Sequence, residues 1–221
     1  MRFVYFTHSL VSDWNHGNAH FLRGVLRELQ ARGHQTRVFE PADGWSRANM
    51  VAEQGEAAVA RFAERFPGLS STTYPADAFD VEAATDGADV VIVHEWNEPW
   101  LVAALGRHRR LSGRSLLLFH DTHHRAATAP EDLDRFDLSG YDGVLAFGEA
   151  IREIYLSRDW ARRAWTWHEA ADTALFRPHP EIEPEGDLVW IGNWGDGERT
   201  AELETFLLGP VRALRLRARV H

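Results

Sequence analysis

The sequence of 221 residues predicts an α/β fold built on a doubly wound parallel sheet. Short, continuously apolar segments recur along the chain, as is typical of strands that are covered on both faces of a sheet. Segments with apolar residues at helical spacing lie between them, so that strands and helices alternate. These two observations favour parallel strands joined by crossover helices.

The chain begins with a strand–helix–strand unit. Residues 2–7 form the first apolar run, and residues 35–39 form the second. Apolar side chains between the two runs repeat at helical spacing, namely Leu22, Val25, Leu26 and Leu29. Gly33 follows them and is a suitable residue to end the helix. The unit has the size of a β–α–β crossover.

The same alternation continues through the middle of the chain. Further strands are predicted at 88–93, 115–119, 144–147 and 164–167. Helices are predicted at 59–66, 99–110 and 149–156. Together these elements predict a Rossmann-like sheet, and open sheets of this kind bind ligands at the carboxyl ends of their strands. The loops that follow the strands are therefore the candidate sites.

The composition changes near the end of the chain. Residues 177–186 are rich in proline and acidic residues, which is typical of an interdomain linker. A strand at 187–191, a glycine loop, a helix at 199–208 and a strand at 216–220 follow. We therefore expect a domain at residues 1–180 and an incomplete second α/β unit at 187–221. One such unit buries too little apolar surface to offset its chain entropy, so self-association through this unit is predicted.

Charge and composition exclude several function classes. The formal net charge of −9 disfavours nucleic acid as a partner. Because the chain has no cysteine, it has no disulfide, thiolate zinc site or cysteine nucleophile. The N-terminus lacks a signal-peptide pattern and no apolar run is long enough to cross a bilayer, so we expect a cytoplasmic protein without a transmembrane segment.

Three polar loops follow predicted strands. In the first, 8–20, Gly17 permits close approach of a ligand to the backbone, and Asn18 opens a helix whose free N–H groups favour phosphate. A polar loop with Asn18 as helix cap explains the same residues equally well. The loop contains no GxGxxG motif, so a dinucleotide fingerprint is absent.

The loop at 94–100 contains Glu95, Trp96 and Trp100, which suit a wall that faces a sugar ring. Asn97 and Glu98 also fit a helix cap before Pro99. We therefore expect Glu95 to be the functional residue of this loop.

The loop at 120–124 contains three histidines and an aspartate. His120 is suited to general acid/base catalysis or to a hydrogen bond with a substrate hydroxyl. A divalent metal site is an alternative, but metal ligands usually converge from several elements, so substrate contact is preferred and no metal ligand is assigned. A solvated loop whose histidine caps the next helix remains a third interpretation.

Several motifs resemble those of known enzymes. The segment GNAHFLRGVLRELQARGHQTRVFEP is similar to the opening of GT-B glycosyltransferases. YDGVLAFGEAIREIY and HEAADTALFRP resemble the end of their N-terminal domain, where Asp172, Phe176 and Pro178 match a recurring D-x-x-x-F-x-P pattern. DLVWIGNWGDGERTAEL resembles the start of their donor domain. WNHGNAHFLRG and EPADGWSRAN carry a narrower resemblance to the CgeB-like (spore-maturation-type) group.

The resemblance implies a nucleotide-sugar donor, an unknown acceptor and no obligatory metal cofactor. It implies that Gly17 and Asn18 approach the donor phosphates and that His120 lines the sugar cleft. It also implies that Gly192, Asn193 and Arg199 lie near the diphosphate. The later acidic motif of such enzymes has no counterpart before His221, so the chain is expected to lack most of the donor domain.

Two other functions remain open at this stage. One is a metal-dependent hydrolase that uses the cluster of His120 to His124. The other is a non-catalytic module that binds a sugar or a nucleotide.

Overall fold

A computed structural model describes residues 1–11, 17–75, 79–192 and 194–221. The chain divides into two compact units, Met1–Phe176 and Arg177–His221. Across the part of the chain that the structure describes, no helix has the length and apolar character needed to span a membrane.

A parallel sheet forms the centre of the first unit, and it confirms the predicted fold class. Among the described residues it has seven strands in the order β3-β2-β1-β4-β5-β6-β7. The strands are β1 (Arg2–Phe6), β2 (Gln35–Pro41), β3 (Thr72–Tyr74), β4 (Val90–His94), β5 (Leu116–Asp121), β6 (Gly143–Ala146) and β7 (Ala164–Thr166). Since every pair is parallel, all seven carboxyl ends meet at one edge.

Helices cover both faces of this sheet. They are α1 (Gly17–Ala31), α2 (Trp45–Gln54), α3 (Ala57–Arg65), α4 (Val81–Thr85), α5 (Pro99–Ser112), α6 (Arg125–Thr128) and α7 (Glu149–Ser157). The sequence pattern missed α2, β3 and α4. Helix α2 buries only Ser46 and Met50, and β3 is a three-residue edge strand with one buried side chain, so neither has a clear apolar period.

The strands contribute to two separate cores because successive side chains of a strand point to opposite faces. On one face Val91, Val93 and Phe119 pack with residues of α5 and α7. On the other face Ile92 and Leu118 pack with residues of α1, α2 and α3. The central strands are thus apolar on both sides, as the continuous apolar runs predicted.

The second unit contains two short parallel strands, β8 (Leu188–Trp190) and β9 (Ala218–Val220). Between them lie α8 (Gly197–Leu203), a π-helical turn (Glu204–Leu208) and α9 (Gly209–Leu214). The helical region therefore extends beyond the residue 208 expected from the sequence. Several large apolar side chains of this unit are exposed, namely Val189, Ile191, Phe206 and Leu214.

Helix α5 is positioned by a close backbone contact between Gly106 and Gly140. A Cβ atom on Gly140 would lie 2.2 Å from the Gly106 carbonyl oxygen, whereas a Cβ on Gly106 would meet nothing closer than 3.5 Å. A methyl group therefore fits at Gly106 but not at Gly140.

We predict that Gly140→Ala lowers the free energy of unfolding by about 2–3 kcal/mol, because backbone must move to accept the methyl group. Gly106→Ala is the matched control. It should change stability by less than about 1 kcal/mol, since alanine has the higher helix propensity. Urea denaturation of both variants measures the difference, and equal losses would contradict the prediction.

Candidate active site

Polar side chains collect at the carboxyl edge of the first sheet. Glu95 follows β4, Thr122 follows β5 and Glu169 follows β7. Helix α1 begins at Gly17 after the β1 loop. Because parallel strands end together, residues that are far apart in sequence meet at this edge.

The loop after β1 is anchored by two buried charged residues. The Glu40 carboxylate accepts hydrogen bonds from the backbone N–H groups of Leu10 and Val11. Arg23 of α1 donates to the Leu10 carbonyl oxygen at 3.1 and 2.8 Å, and its guanidinium lies over the Phe66 ring. The loop therefore leaves β1 in a fixed direction. Its next residues, 12–16, lie outside the described part of the chain.

Glu95 is completely buried and holds the ends of two strands together. One carboxylate oxygen accepts hydrogen bonds from the backbone N–H and the hydroxyl of Thr122, both at 3.1 Å. The other accepts from the Arg125 guanidinium at 2.9 Å. Arg125 also lies 4.2 Å from the centroid of the Trp96 ring. The structure thus places Glu95 beneath the surface, where its contacts organise Thr122 and Arg125.

Asn18 lies between Thr122 and Glu169. One end of its side-chain amide is 2.8 Å from the Thr122 hydroxyl oxygen. The other end is 3.1 and 3.0 Å from the two Glu169 carboxylate oxygens. Asn18 therefore bridges two loops of the sheet edge from the first turn of α1, instead of serving only as a helix cap.

Glu169 is a candidate that the sequence pattern did not identify. Burial and the nearby negative charge of Glu95 raise the pKa of its carboxyl to about 7. Unlike Glu95 it retains some exposed surface. Its position three residues after β7 was the available signal, but the sequence around it, HEAAD, resembled only the interdomain crossover of GT-B enzymes.

Asp121 lies at the same edge, next to Glu95 and on the face of the sheet that packs against α7. Its carboxylate accepts hydrogen bonds from the Tyr155 hydroxyl and the His123 backbone N–H, both at 2.9 Å. Burial and the charge of Glu95 raise its pKa above the ordinary value. Two carboxyl groups, Glu95 and Asp121, therefore share the buried end of β4 and β5.

His120 and His94 form a buried pair under the start of α1. Their ring centroids are 4.9 Å apart, and the His120 ring also contacts Phe21 and Trp167. Neither ring nitrogen of His120 has a hydrogen-bond partner among the described residues. Burial lowers the His120 pKa to about 3, so the imidazole is neutral at physiological pH. The structure thus places His120 below the expected cleft, because side chains of α1 and of the segment after β7 cover the end of its strand.

The remaining histidines of this loop do not converge on a metal site. The His124 ring contacts the Thr128 hydroxyl at 2.9 Å, and the His123 ring stacks on His124. In the described ranges no group of three or more His, Asp or Glu side chains has a geometry that could hold a metal ion.

Two expectations for the loop after β4 need correction. Asn97 does not cap α5: its amide donates to the carbonyl oxygens of Phe6 and His94, both at 2.8 Å, and so joins β1 to β4. Glu98 stands at the cap position without a side-chain hydrogen bond. The Arg125 guanidinium covers one face of the half-buried Trp96 ring, so that face does not contact a sugar in this arrangement.

The segment after β7 is fixed to α1 by Asp172. Its carboxylate pairs with Arg27, and its Cβ lies 3.0 Å from the position that a Cβ on Gly24 would occupy. Phe176 then contacts the His20 ring. Gly24 therefore allows the close approach that holds Glu169 and Trp167 over the end of the sheet.

This arrangement of strands and polar loops can be compared with known proteins. A family model described as Glycosyltransferase Family 4 matches residues 16–175. The chain belongs to glycosyltransferase family 4. No curated protein sequence matches the chain. The family match supports the predicted GT-B resemblance, and it extends from the start of α1 to the segment fixed by Asp172.

The candidates of the second unit lie outside the matched residues of the glycosyltransferase family 4 domain. Gly192 lies two residues after the end of β8, and its N–H donates to the His221 carbonyl oxygen at 3.2 Å. Asn193 lies outside the described residues. Arg199 is in the first turn of α8, where its N–H donates to the capping carboxylate of Asp196 at 3.0 Å and its side chain is exposed. The Arg199 guanidinium is exposed, and its Nε lies 3.9 Å from the Glu202 carboxylate.

We predict that Arg125→Met lowers the free energy of unfolding by about 3–5 kcal/mol, because it leaves the buried Glu95 charge without its partner. Adding Glu95→Gln should restore at least half of the loss. Arg32→Met is the control, since it breaks an exposed pair with Glu28 one helical turn away and should cost about 1 kcal/mol or less. Chemical denaturation measures all three. An equal loss in the single and double variants would contradict the prediction.

We predict that His120→Phe reduces the sensitivity of stability to acid. A His120 that stays neutral in the folded state binds its proton only on unfolding, so the wild type loses stability as pH falls below the ordinary histidine pKa of 6.5. The difference in the free energy of unfolding between variant and wild type should therefore grow as pH falls, by up to about 1.4 kcal/mol per pH unit between about pH 6 and pH 4. The raised pKa values of Asp121 and Glu169 favour the folded state as pH falls. They do so equally in wild type and variant, so their contributions cancel in the comparison. Parallel curves would disprove a buried neutral His120.

Proposed function

We propose that this glycosyltransferase family 4 domain transfers a sugar from a nucleotide-sugar donor to a hydroxyl group of an acceptor that binds at the first unit. The supporting observation is the connected polar cluster of Asn18, Glu95, Thr122 and Glu169 at the carboxyl edge of the sheet. Such an edge is where open α/β sheets bind ligands. The narrower CgeB-like relationship is part of this proposal.

The start of α1 suits a ligand phosphate. Gly17 is exposed, and a Cβ placed on it would meet nothing within 4 Å among the described residues. The first N–H groups of a helix carry partial positive charge and favour anions. We therefore propose that Gly17 and Asn18 contact the donor phosphates, with Asn18 linked to the rest of the cluster.

His120 is proposed to hold a hydroxyl group of the sugar or of the acceptor. A neutral imidazole with a pKa of about 3 does not retain a proton at neutral pH, so its role is hydrogen bonding and not proton acceptance. To reach a ligand it must be uncovered by rotation of the Trp167 ring. Trp167 lines a groove of about 850 Å³ beside α1, which provides space for that movement.

Glu95 is proposed to act through its neighbours. Since it has no exposed surface, it cannot contact a ligand in this arrangement, but it fixes the Thr122 hydroxyl and the Arg125 guanidinium. Preorganised groups of this kind stabilise developing charge without the cost of reorientation. The expected catalytic residue Glu95 is thus assigned a positioning role.

In the second unit, we propose that Gly192, Asn193 and Arg199 contact the diphosphate of the donor. The exposed Arg199 guanidinium is suited to the charge of the departing nucleoside diphosphate. We also propose that the exposed apolar side chains of this unit, including Ile191 and Phe206, mediate self-association. Light scattering at several concentrations tests the latter.

We predict that one class of nucleotide sugar raises the unfolding temperature and releases its nucleoside diphosphate when an acceptor is supplied. A ligand at 100 times its dissociation constant stabilises the folded state by about 2.7 kcal/mol. A panel of nucleotide sugars in a thermal unfolding assay, followed by product analysis, measures both effects. Asn18→Ala should weaken the shift, whereas Glu98→Gln, also at the sheet edge, should leave it unchanged.

Two outcomes of this experiment would change the proposed function. Stabilisation without release of the diphosphate would indicate a non-catalytic binding module. The absence of both effects across the panel would contradict the proposed donor class.

A further inference from the structure

The buried ring of His120 lies next to a groove from which two aromatic rings separate it. The side chain has no exposed surface, and neither ring nitrogen has a hydrogen-bond partner among the described residues. A buried polar group without a partner is destabilising. The ring centroids of Phe21 and Trp167 lie 5.8 and 4.9 Å from that of His120. Both residues also line the groove of about 850 Å³ beside α1, so movement of the Trp167 indole would open His120 to this groove.

Trp167 begins a segment whose backbone has few hydrogen bonds. Its own N–H donates to the Ala146 carbonyl oxygen at 2.7 Å and continues the pairing of β7 with β6. From residue 168 to residue 171 the backbone makes no hydrogen bond to the backbone of any described residue, and the next ones belong to a turn that begins at Asp172. Segments with so few backbone hydrogen bonds open locally at a small cost in free energy. We call residues 167–172 the strap.

Side chains attach the middle of the strap to the sheet edge. The His168 Nδ1 lies 2.8 Å from the Phe147 carbonyl oxygen, and the Glu169 carboxyl group contacts the Asn18 amide. His168, Glu169 and Asn18 all retain exposed surface. Water can therefore replace both contacts when the strap moves, and neither of them holds it closed.

An ion pair fastens the end of the strap to α1. The Arg27 guanidinium pairs with the Asp172 carboxylate, which is buried, whereas Arg27 is partly exposed. Gly24 permits this close approach, because a Cβ on it would lie 3.0 Å from the Asp172 Cβ. Arg27 and Asp172 line the same groove as Trp167. Loss of the pair should therefore release the strap, and with it the indole that covers the imidazole.

We propose that the strap is an autoinhibitory cover, which seals His120 with the Trp167 indole in the ligand-free protein and is latched by the pair of Arg27 and Asp172. The groove beside α1 is then the route by which a hydroxyl group of the sugar or the acceptor reaches the imidazole. Such a hydroxyl supplies the hydrogen bond that His120 lacks in the closed state, so the ligand favours the open state. The nature of this ligand rests on the proposed glycosyl transfer, whereas the cover does not.

The first test measures access to His120 without any ligand. Diethyl pyrocarbonate modifies accessible imidazole rings, and mass spectrometry of the fragment 115–125 distinguishes His120 from the exposed His124, which is the internal reference. In the wild type His120 should react at least about 10-fold more slowly than His124. Arg27→Met should raise the His120 rate by about 10-fold or more and leave His124 unchanged. Arg32→Met, which breaks an exposed ion pair of the same helix, should change neither rate.

Three results of this test would overturn the proposal. If His120 reacts as fast as His124 in the wild type, the strap does not seal it. If Arg27→Met leaves the His120 rate unchanged, the ion pair is not a latch. If Arg27→Met raises the rates of His120 and of His94, the buried ring of β4, by the same factor, the chain unfolds as a whole and the strap does not open by itself.

The second test fastens the strap reversibly. Since the chain contains no cysteine, the double variant Gly24→Cys/Asp172→Cys has one possible intramolecular disulfide. The two Cβ positions lie 3.0 Å apart, and a shift of about half an ångström brings them into the range of a disulfide. The oxidised form should keep His120 as unreactive as in the wild type. Reduction should raise the rate by about 10-fold or more, because the ion pair is also absent, and equal rates in the two forms would overturn the proposal.

Sugar transfer separates the cover from the proposed function. With the panel of nucleotide sugars, the oxidised double variant should transfer at least about 10-fold more slowly than its reduced form. Equal transfer by both forms would overturn the cover, since the ligand would then not need the route past Trp167. If the His120 rates change as expected but the wild type transfers no sugar from any member of the panel, the proposed function fails and the cover is supported.

Discussion

A carboxylate with no exposed surface requires compensation from its neighbours, and Glu95 imposes this requirement at the carboxyl edge of the first sheet. Its partners are the Thr122 backbone and hydroxyl and the Arg125 guanidinium, which come from the loop of the adjacent strand. Leaving a buried charge unpaired would cost several kcal/mol. The two loops are therefore fixed relative to each other, and the polar cluster has a defined geometry before any ligand binds.

Three carboxyl groups at this edge differ through their surroundings. Glu95 is held by an ion pair, Asp121 accepts a hydrogen bond from the Tyr155 hydroxyl, and Glu169 remains partly exposed beside Asn18. The same chemical group thus serves as anchor, as buried hydrogen-bond acceptor and as a partly exposed carboxyl group whose pKa is raised. Environment, and not residue type, separates these roles.

The aromatic layer under α1 has a related effect on the histidines. Phe21 and Trp167 enclose His120 and its neighbour His94, which removes water from both rings and favours their neutral forms. Asp172 and Gly24 bring the covering segment close to α1. Docking of this segment therefore decides both the protonation state of His120 and its access to a ligand.

By itself the sequence determined the parallel sheet of the first unit, because strands covered on both faces must be continuously apolar, as in 90–94 and 116–119. It also determined that polar residues such as Glu95, His120 and Asn18 lie at or just after the carboxyl ends of strands. These are local properties, which depend on neighbouring residues along the chain.

Only the tertiary structure decided what each of these residues does. Burial and pairing depend on which loops meet, so Glu95 became an interior anchor and His120 a covered neutral ring, although both had been expected at the ligand. Glu169 became a candidate for the opposite reason: no local pattern distinguishes it, and its shifted pKa arises from Glu95, which is far away in the sequence and close only in the fold.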